Sequence, residues 1–289
     1  MGKLALGTAQ FGMDYGINNP RGKIPFQEVS KILHLASFYK IDLLDTAYLY
    51  GESEKVIGRC LTNTGLSFKL VSKLPSVESR KEAENYLSQS LKRLCVKNLY
   101  GYLIHNFENF KKNLWLWDFL HSLKIKGLVK KIGFSLYFPE EIEFLWTKNF
   151  IPDLLQIPFS IFDQRFRPWF QKLKTSGVEI HTRSVFLQGL VFRDPQTLPQ
   201  NFEPFKQKIK ELRKLAHKNN LPYEALFLCF AIENPYVDYV IVGVDGLSQI
   251  KEIIKALKYK KEIKDSFGKI FSSLALNDPE IILPFNWKF

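Results

Sequence analysis

The chain has 289 residues, 46% hydrophobic and 24% charged, so it is long and apolar enough for a full hydrophobic core. Its 41 Lys and Arg exceed its 29 Asp and Glu, but no nucleic-acid-binding motif accompanies the excess, and a basic solvated surface explains it. The 3 cysteines lack CxxC spacing and predict neither a disulfide framework nor a metal site. No apolar run approaches the roughly 18 residues that cross a bilayer, so we expect a cytoplasmic protein without nucleic-acid or membrane partners.

Short apolar runs alternate with longer amphipathic segments along the chain. The runs are KLALG from Lys3, IDLLDT from Ile41, FKLVSK from Phe68, LYGYLIH from Leu99, KIGFSL from Lys131, DLLQI from Asp153, VEIHTR from Val178 and YVIVG from Tyr239. Helical patterns lie between them, at 25–40, 79–95, 113–128, 201–219 and 221–234. Because each strand and helix together take about 30 residues, right-handed crossovers of a parallel sheet are expected. Eight such units predict a (β/α)8 TIM barrel, with a doubly wound sheet as the alternative.

The remaining segments favour the barrel and a single domain over residues 1–289. The turn after the first strand, GTAQFGM, contains Gly7 and Gly12 but no GxGxxG opening a helix, which argues against the doubly wound sheet. No linker, repeat or low-complexity tract divides the chain. The lysine-rich stretch from Lys251 to Asp265 has helical spacing. An additional C-terminal helix follows, and the apolar tail IILPFNWKF from Ile281 is expected outside the barrel or over its rim.

Four chemically active side chains lie at or just after the ends of consecutive predicted strands. Asp45 and Tyr50 belong to LLDTAYLYGESEK, Lys73 to LVSKLPS and His105 to YLIHNF. Adjacent strands lie about 4.8 Å apart, so groups leaving the same end of neighbouring strands can meet around one substrate atom. A phenol is a weak acid at neutral pH, and a nearby cation lowers its pKa. We therefore expect Tyr50 to donate a proton, Lys73 paired with Asp45 to lower its pKa, and His105 to orient a carbonyl oxygen.

Each of these residues has an ordinary explanation when taken alone. An isolated tyrosine usually packs, Asp45 can cap the following helix, Lys73 can be a solvated lysine at a strand end, and His105 can belong to a turn. Their shared position at the ends of consecutive strands favours catalysis, because the catalytic groups of barrels lie there.

The chain resembles the aldo-keto reductases in segments that run from near its start to its last predicted strand. These segments are LGTAQFGM, DTAYLYGESE, VSKL, LIHNF, IGFSL, LQIPFSIFDQ, RSVFLQGLV, EALFLCFAIEN and VIVGVDGL. The DTAxxYG motif, with a downstream lysine and histidine, is the most specific of the shared features. The resemblance implies a nicotinamide-dependent enzyme on a (β/α)8 barrel, in which Tyr50 protonates a carbonyl while hydride arrives from the cofactor.

The resemblance also implies a set of cofactor contacts. Ser135 and Gln156 would hold the nicotinamide carboxamide, and Thr8 would contact the cofactor after the first strand. The tract RSVFLQGL fits a pyrophosphate passing close to the backbone, although an ordinary turn explains it equally well. The further positions are Arg183, Ser184, Phe186, Gln188 and Gly189 in this tract, and Gly243, Asp245 and Gln249 after the last strand.

This chain departs from the family's pattern in three places. Leu136 replaces an asparagine after Ser135, which removes one amide contact. Arg183 stands where a tyrosine commonly stacks on the nicotinamide; its charge would favour the reduced cofactor. After the last strand, Gly243, Val244 and Gln249 stand where the family often has Lys, Ser and Arg for a 2′-phosphate, and the nearby Asp245 would repel that phosphate. NADP(H) remains favoured, and NAD(H) remains an alternative.

The expected activity is NAD(P)H-dependent reduction of an aldehyde or ketone, with a sugar derivative as one candidate substrate. Two other functions stay open. One is a cofactor-binding regulatory or sensing subunit without significant turnover, and the other is an epimerase that retains its cofactor. The sequence leaves the oligomeric state open.

Overall fold

Eight parallel strands form a closed barrel in the computed structural model, which describes residues 3–276 and 278–287. The strands are β1 (Leu4–Gly7), β2 (Leu43–Asp45), β3 (Lys69–Leu74), β4 (Leu99–Ile104), β5 (Val129–Ser135), β6 (Leu154–Pro158), β7 (Glu179–Arg183) and β8 (Tyr239–Gly243). Each strand pairs with the next, and β1 closes the barrel by pairing with β8. Each predicted apolar run overlaps one of these strands. The (β/α)8 prediction is therefore confirmed, and the doubly wound alternative was wrong.

Helices connect the strands and surround the barrel. They are α1 (Ala9–Gly12), α2 (Phe26–Phe38), α3 (Ser53–Thr64), α4 (Arg80–Leu94), α5 (Phe107–Lys112), α6 (Trp115–Ile125), α7 (Pro139–Thr147), α8 (Phe170–Thr175), α9 (Glu203–Lys218), α10 (Tyr223–Ile232), α11 (Leu247–Ala256), α12 (Lys260–Ser273) and α13 (Pro279–Ile282). The five predicted helical segments correspond to α2, α4, α6, α9 and α10. In the described part of the chain, no helix is long and apolar enough to cross a membrane.

Side-chain alternation along the strands separates two apolar cores. The larger core lies between the strands and the surrounding helices and contains, for example, Leu44, Leu70 and Ile104. The smaller core fills the barrel's interior and consists of Ala5, Leu43, Val71, Leu103, Leu154, Tyr239 and Ile241. Four of these interior residues are followed, two positions later, by a polar side chain: Asp45, Lys73, His105 and Gln156. The period of two therefore aims these polar side chains into the barrel at its carboxyl end.

The C-terminal segments include the predicted additional helix. The stretch from Lys251 to Asp265, which has helical spacing, is helical in α11 and α12, and the 3-10 turn Leu257–Tyr259 separates the two helices. The tail forms α13 and the 3-10 turn Pro284–Asn286, with the phenyl ring of Phe285 at the mouth of the barrel, 5.1 Å from the ring of Tyr137. Ile281, Ile282 and Leu283 are buried in the core outside the barrel, whereas Pro284 and Phe285 line the cavity at its rim. The last two residues of the predicted tail, 288–289, lie outside the described residues.

Candidate active site

A cavity of about 820 Å³ opens at the carboxyl ends of the strands. Three of the four predicted catalytic residues line it, and the fourth, Lys73, is buried behind them. Every predicted cofactor-binding residue lines it: Thr8, Ser135, Gln156, Arg183, Ser184, Phe186, Gln188, Gly189, Gly243, Asp245 and Gln249. The sequence did not point to several other lining residues: Gln10, Tyr15, Asn18, Tyr137, Glu224, Glu252 and Phe285.

Lys73 and Asp45 form a buried ion pair at the floor of the cavity. The Lys73 ammonium donates to both carboxylate oxygens of Asp45 at 2.8 Å and to the carbonyl oxygen of Thr46 at 2.9 Å. Gln156 Nε2 donates to Asp45 Oδ1 at 2.7 Å. Burial lowers the pKa of Lys73, and the adjacent carboxylate opposes this shift. The predicted pairing of the two side chains is therefore present, and two further polar groups, the Thr46 carbonyl and the Gln156 amide, hydrogen-bond to the pair.

A tight turn after β2 carries Tyr50. The amide of Tyr50 donates to the carbonyl of Ala47 at 3.0 Å, and its own carbonyl accepts from the amide of Ser53 at 3.0 Å. Gly12, in the GTAQFGM segment, packs so closely on this turn that a Cβ there would lie 2.0 Å from the Tyr50 carbonyl oxygen. Glycine at position 12 is thus required for the turn's position. Lys73 Nζ lies 5.0 Å from the centre of the Tyr50 ring.

The pKa of Tyr50 shifts in the direction opposite to the expected one. Burial raises it, the negative charge of Asp45 raises it further, and the positive charge of Arg183 opposes these effects. The positive charge of Lys73, paired with Asp45 at 2.8 Å, does not offset these two effects. The shift keeps the phenol protonated at neutral pH, which is the state that a proton donor needs before the reaction.

His105 faces Tyr50 across the cavity, with the two ring centres 6.0 Å apart. Its Nδ1 is buried and has no hydrogen-bond partner among the described residues. Burial, followed by the charges of Lys73 and Arg183, lowers the pKa of His105 to about 3. The imidazole is therefore neutral at physiological pH and donates a single N–H. A neutral donor polarises a carbonyl without transferring its own proton.

Arg183 contacts protein groups that the sequence did not indicate. Its guanidinium carbon lies 4.0 Å from the centre of the Tyr137 ring, and Nη2 donates to the carbonyl oxygen of Leu136 at 2.9 Å. Nη1 donates to Ser184 Oγ at 3.3 Å. The side chain of Leu136 is buried in the core between strands and helices, so it supplies no contact in place of the missing amide. One face of the Arg183 guanidinium is already covered by Tyr137.

The part of the cavity lined by α10, α11 and the segment after β8 is acidic. Asp245, Glu224 and Glu252 line it, whereas Arg183, near Tyr50, is the sole Lys or Arg in the lining among the described residues. Asp245 Oδ1 accepts from Gln10 Nε2 at 3.3 Å. Burial raises the pKa of Asp245, and the contact from Gln10 opposes the shift.

The segment around this acidic part satisfies its own backbone donors. The Asp245 amide donates to Gln249 Oε1 at 2.7 Å, and the Leu247 amide donates to Glu28 Oε1 at 2.8 Å. The nearby cation Arg21 is paired with Glu28 at 2.6 Å and donates to the carbonyl of Asp245 at 3.3 Å. Neither the amides nor this guanidinium are therefore left without an acceptor.

Two loops meet across the middle of the cavity. The Ile17 amide donates to the carbonyl of Gln188 at 3.2 Å, and Asn18 Nδ2 donates to the carbonyl of Gly189 at 2.6 Å. Gln188 Nε2 donates to the hydroxyl of Tyr15 at 2.7 Å. Gly189 has φ +95°, a left-handed conformation that favours glycine. These contacts join the loop after β1 to the loop after β7.

A closed (β/α)8 barrel that presents a buried ion pair, a phenol and a neutral imidazole beside a long cavity has the architecture of a barrel enzyme acting on a small organic molecule. Comparisons with known proteins specify the class. The profile of the aldo/keto reductase family matches residues 3–272. The uncharacterised oxidoreductase YqkF of Bacillus subtilis is 25% identical over 252 residues, covering 76% of this chain and 79% of the relative.

Solved structures share the fold. The holo form of aldo-keto reductase AKR11C1 from Bacillus halodurans has a TM-score of 0.74 at 20% identity, covering 99% of this chain and 95% of that one. An aldo/keto reductase from Klebsiella pneumoniae, solved in complex with NADP and acetate, has a TM-score of 0.70 at 17% identity, covering 96% and 93%. The chain belongs to the aldo/keto reductase family and is an NAD(P)H-dependent oxidoreductase.

Proposed function

We propose that the protein reduces the carbonyl group of an aldehyde or ketone with Tyr50 as the proton donor. The observation that carries this proposal is the placement of the Tyr50 phenol between the buried Lys73–Asp45 pair and the neutral His105 at one end of the cavity. The acid Tyr50, the orienting donor His105 and the buried charge of Lys73 then all lie close to one substrate oxygen. A sugar derivative is one candidate substrate, since the rings of Tyr137 and Phe285 line this end.

The cavity suits a nicotinamide dinucleotide. Its volume of about 820 Å³ lies within the usual range for ligand sites. Gln156 uses its Nε2 on Asp45, which leaves Oε1 as an acceptor, and the neighbouring Ser135 also lines the cavity; both suit a carboxamide. When bound there, the dinucleotide supplies the hydride.

The chain's own residues account for the proton and for the orientation of the substrate. His105 donates an N–H to the carbonyl oxygen and fixes its position beside Tyr50. Tyr50 then transfers its hydroxyl proton to that oxygen as negative charge develops on it. Lys73, 5.0 Å from the phenol ring, stabilises the tyrosinate that forms, and Asp45 holds the ammonium in place.

Substituting Tyr50→Phe tests the assigned role. Because a general acid contributes about 10²- to 10⁴-fold to rate, kcat for a carbonyl substrate should fall at least 100-fold. The affinity for NADH, measured by fluorescence quenching, should change less than about twofold, since the ring is kept. Tyr39→Phe, which removes a phenol hydroxyl at the end of α2 outside the cavity, is the matched control. Retention of more than a tenth of kcat in Tyr50→Phe would exclude the role.

A panel of carbonyl compounds separates reduction from the other two functions. The proposal predicts a loss of reduced-nicotinamide absorbance that depends on the carbonyl compound. A subunit without turnover would bind dinucleotide and show no such loss with any member of the panel. An epimerase would convert a hydroxylated substrate to its stereoisomer with no net consumption of cofactor.

For the cofactor's form, we propose that NAD(H) binds more tightly than NADP(H), although the family resemblance favours NADP(H). The support is the set of carboxylates in the cavity lining, those of Glu224, Asp245 and Glu252. A carboxylate accepts a hydrogen bond from a ribose 2′-hydroxyl and repels a 2′-phosphate. The neighbouring cation Arg21 is engaged by Glu28 at 2.6 Å.

Titration with NADH and NADPH, followed by fluorescence quenching, checks this preference. A hydrogen bond to a charged group contributes about 1.5–3 kcal/mol, so NADH should bind roughly 10- to 100-fold more tightly. Asp245→Asn should narrow the difference mainly by strengthening the binding of NADPH. Tighter binding of NADPH by the wild type refutes the preference, whereas failure of both dinucleotides to bind refutes the cofactor site itself.

A further inference from the structure

A second cavity lies on the outside of the barrel, between α3 and α4, with a volume of about 720 Å³. Its lining shares no residue with the active-site cavity. Four cations and no carboxylate line it, together with neutral polar side chains and one thiol. The lining residues are Lys55, Arg59, Thr62, Asn63, Gln89, Lys92, Arg93 and Cys95.

Arg93 is held rigidly in this groove. Its guanidinium stacks on the ring of Tyr48 at 4.0 Å, and Nη2 donates to the Tyr48 hydroxyl at 2.9 Å and to Gln89 Oε1 at 3.4 Å. Nη1 lies 3.7 Å from the carboxylate of Glu54, which is almost fully buried. A guanidinium fixed in this way loses little conformational entropy when it binds an anion.

The other three cations are less fully compensated, and Lys55 interacts with the carboxylate of Glu52. Among the described residues, Lys55, Arg59 and Lys92 form no ion pair with a carboxylate within 4.0 Å. The Arg59 guanidinium instead lies 4.3 Å from the ring centre of Phe26. Counting Arg93 against Glu54 and Lys55 against the nearby Glu52, the groove retains two uncompensated positive charges, those of Arg59 and Lys92.

Helix geometry explains only part of this charge. Lys92 and Arg93 lie in the last turn of α4, where cations stabilise the negative end of the helix dipole. Lys55, however, is the third residue of α3, close to the positive end of that helix. Lys55 and Arg59 also repel each other at a spacing of four residues. The pair on α3 is therefore unfavourable for the helix itself.

Close packing of the two helices brings both pairs into one groove. A Cβ at Gly58 of α3 would lie 2.1 Å from the carbonyl oxygen of Arg93. This contact places the cations of α3 beside the end of α4. The resulting concave surface has the size of a small-molecule site, and its amide and hydroxyl groups add neutral donors.

We propose that this groove binds a small molecule carrying two or more phosphate charges, such as a di- or polyphosphate group. A rigid guanidinium in the groove and three further cations around it match the charge and the hydrogen-bond acceptors of such a ligand. The site is independent of the proposed reduction, because it contains none of the groups assigned to that reaction.

Isothermal titration with inorganic pyrophosphate at constant ionic strength tests the proposal. The variant Arg59→Gln/Lys92→Gln removes two exposed cations of the groove and leaves Arg93 and its partners unchanged. The matched control is Lys210→Gln/Lys214→Gln, which removes two exposed positive charges from α9 and so changes the net charge by the same amount. Thermal unfolding of all three proteins verifies that each is folded.

Pyrophosphate should bind the wild type with one site per chain, and its affinity should fall at least about tenfold in the groove variant. The control variant should change the affinity less than twofold. Equal affinity in the groove and control variants, or no binding by the wild type at millimolar pyrophosphate, would overturn the proposal. Tighter binding of a short single-stranded oligonucleotide, lost in the same groove variant, would assign the groove to nucleic acid and also overturn it.

Discussion

Replacing Asp45 with Asn would leave the ammonium of Lys73 buried without a counter-charge. The Lys73 side chain is 0% exposed and that of Asp45 5%, so water cannot compensate for the lost carboxylate. Removing one partner of a buried pair costs about 3–5 kcal/mol. This free-energy cost has an upper limit, because the buried Lys73 ammonium can lose its proton and become neutral. Bringing an amine of ordinary pKa 10.5 to neutrality at pH 7 costs about 5 kcal/mol.

Thermal and urea unfolding measure this cost directly. For a domain of this size, 1 kcal/mol corresponds to about 2–4 °C in Tm, so Asp45→Asn should lower Tm by roughly 6–20 °C. In Asp45→Asn/Lys73→Met the buried charge is absent, and the free energy of unfolding should exceed the value expected from adding the two single losses. A loss below about 1 kcal/mol in Asp45→Asn, or strict additivity in the double variant, would refute the reasoning.

Three further predictions concern residues around the cavity. The pKa of His105 in the folded protein, about 3, lies below its ordinary 6.5, so the unfolded chain takes up the proton first on acidification. The free energy of unfolding should therefore fall by up to about 1.4 kcal/mol per pH unit below pH 6.5, and urea titrations at several pH values should show this component missing in His105→Gln. Gly12→Ala should lower kcat more than cofactor affinity, because its Cβ would displace the Tyr50 turn; an unchanged kcat would contradict that. Phe285→Ala should raise KM for bulky carbonyl substrates and leave dinucleotide affinity unchanged, as steady-state kinetics and fluorescence titration would reveal.

The barrel and the floor of the site followed from the sequence because both depend on local periodicity. Alternation along β2 and β3 places Asp45 and Lys73 on the interior face with Leu43 and Val71, whatever the loops do. The direction of the Tyr50 pKa shift could not be predicted from the sequence. The shift is set first by the burial of the phenol and then by the charge of Asp45, and both depend on packing that the sequence does not reveal.

Several residues that line the walls of the cavity were not predicted from the sequence, for a related reason. Tyr15, Tyr137 and Phe285 come from segments far apart in sequence that converge only after the barrel has closed. No periodic pattern marks them, and each resembles one of many aromatic residues in the chain. The stacking of Arg183 on Tyr137 was not predicted either, because the family resemblance placed Arg183 beside the cofactor.

The contact between the loops after β1 and β7 has a consequence for the timing of turnover. Three hydrogen bonds join the loops across the cavity, those of Ile17, Asn18 and Gln188. At a net contribution of about 0.5–1.5 kcal/mol each, their simultaneous rupture is an infrequent event. We therefore predict that a ligand beneath them leaves only when the loops separate; a pre-steady-state burst of product would indicate that this dissociation limits turnover.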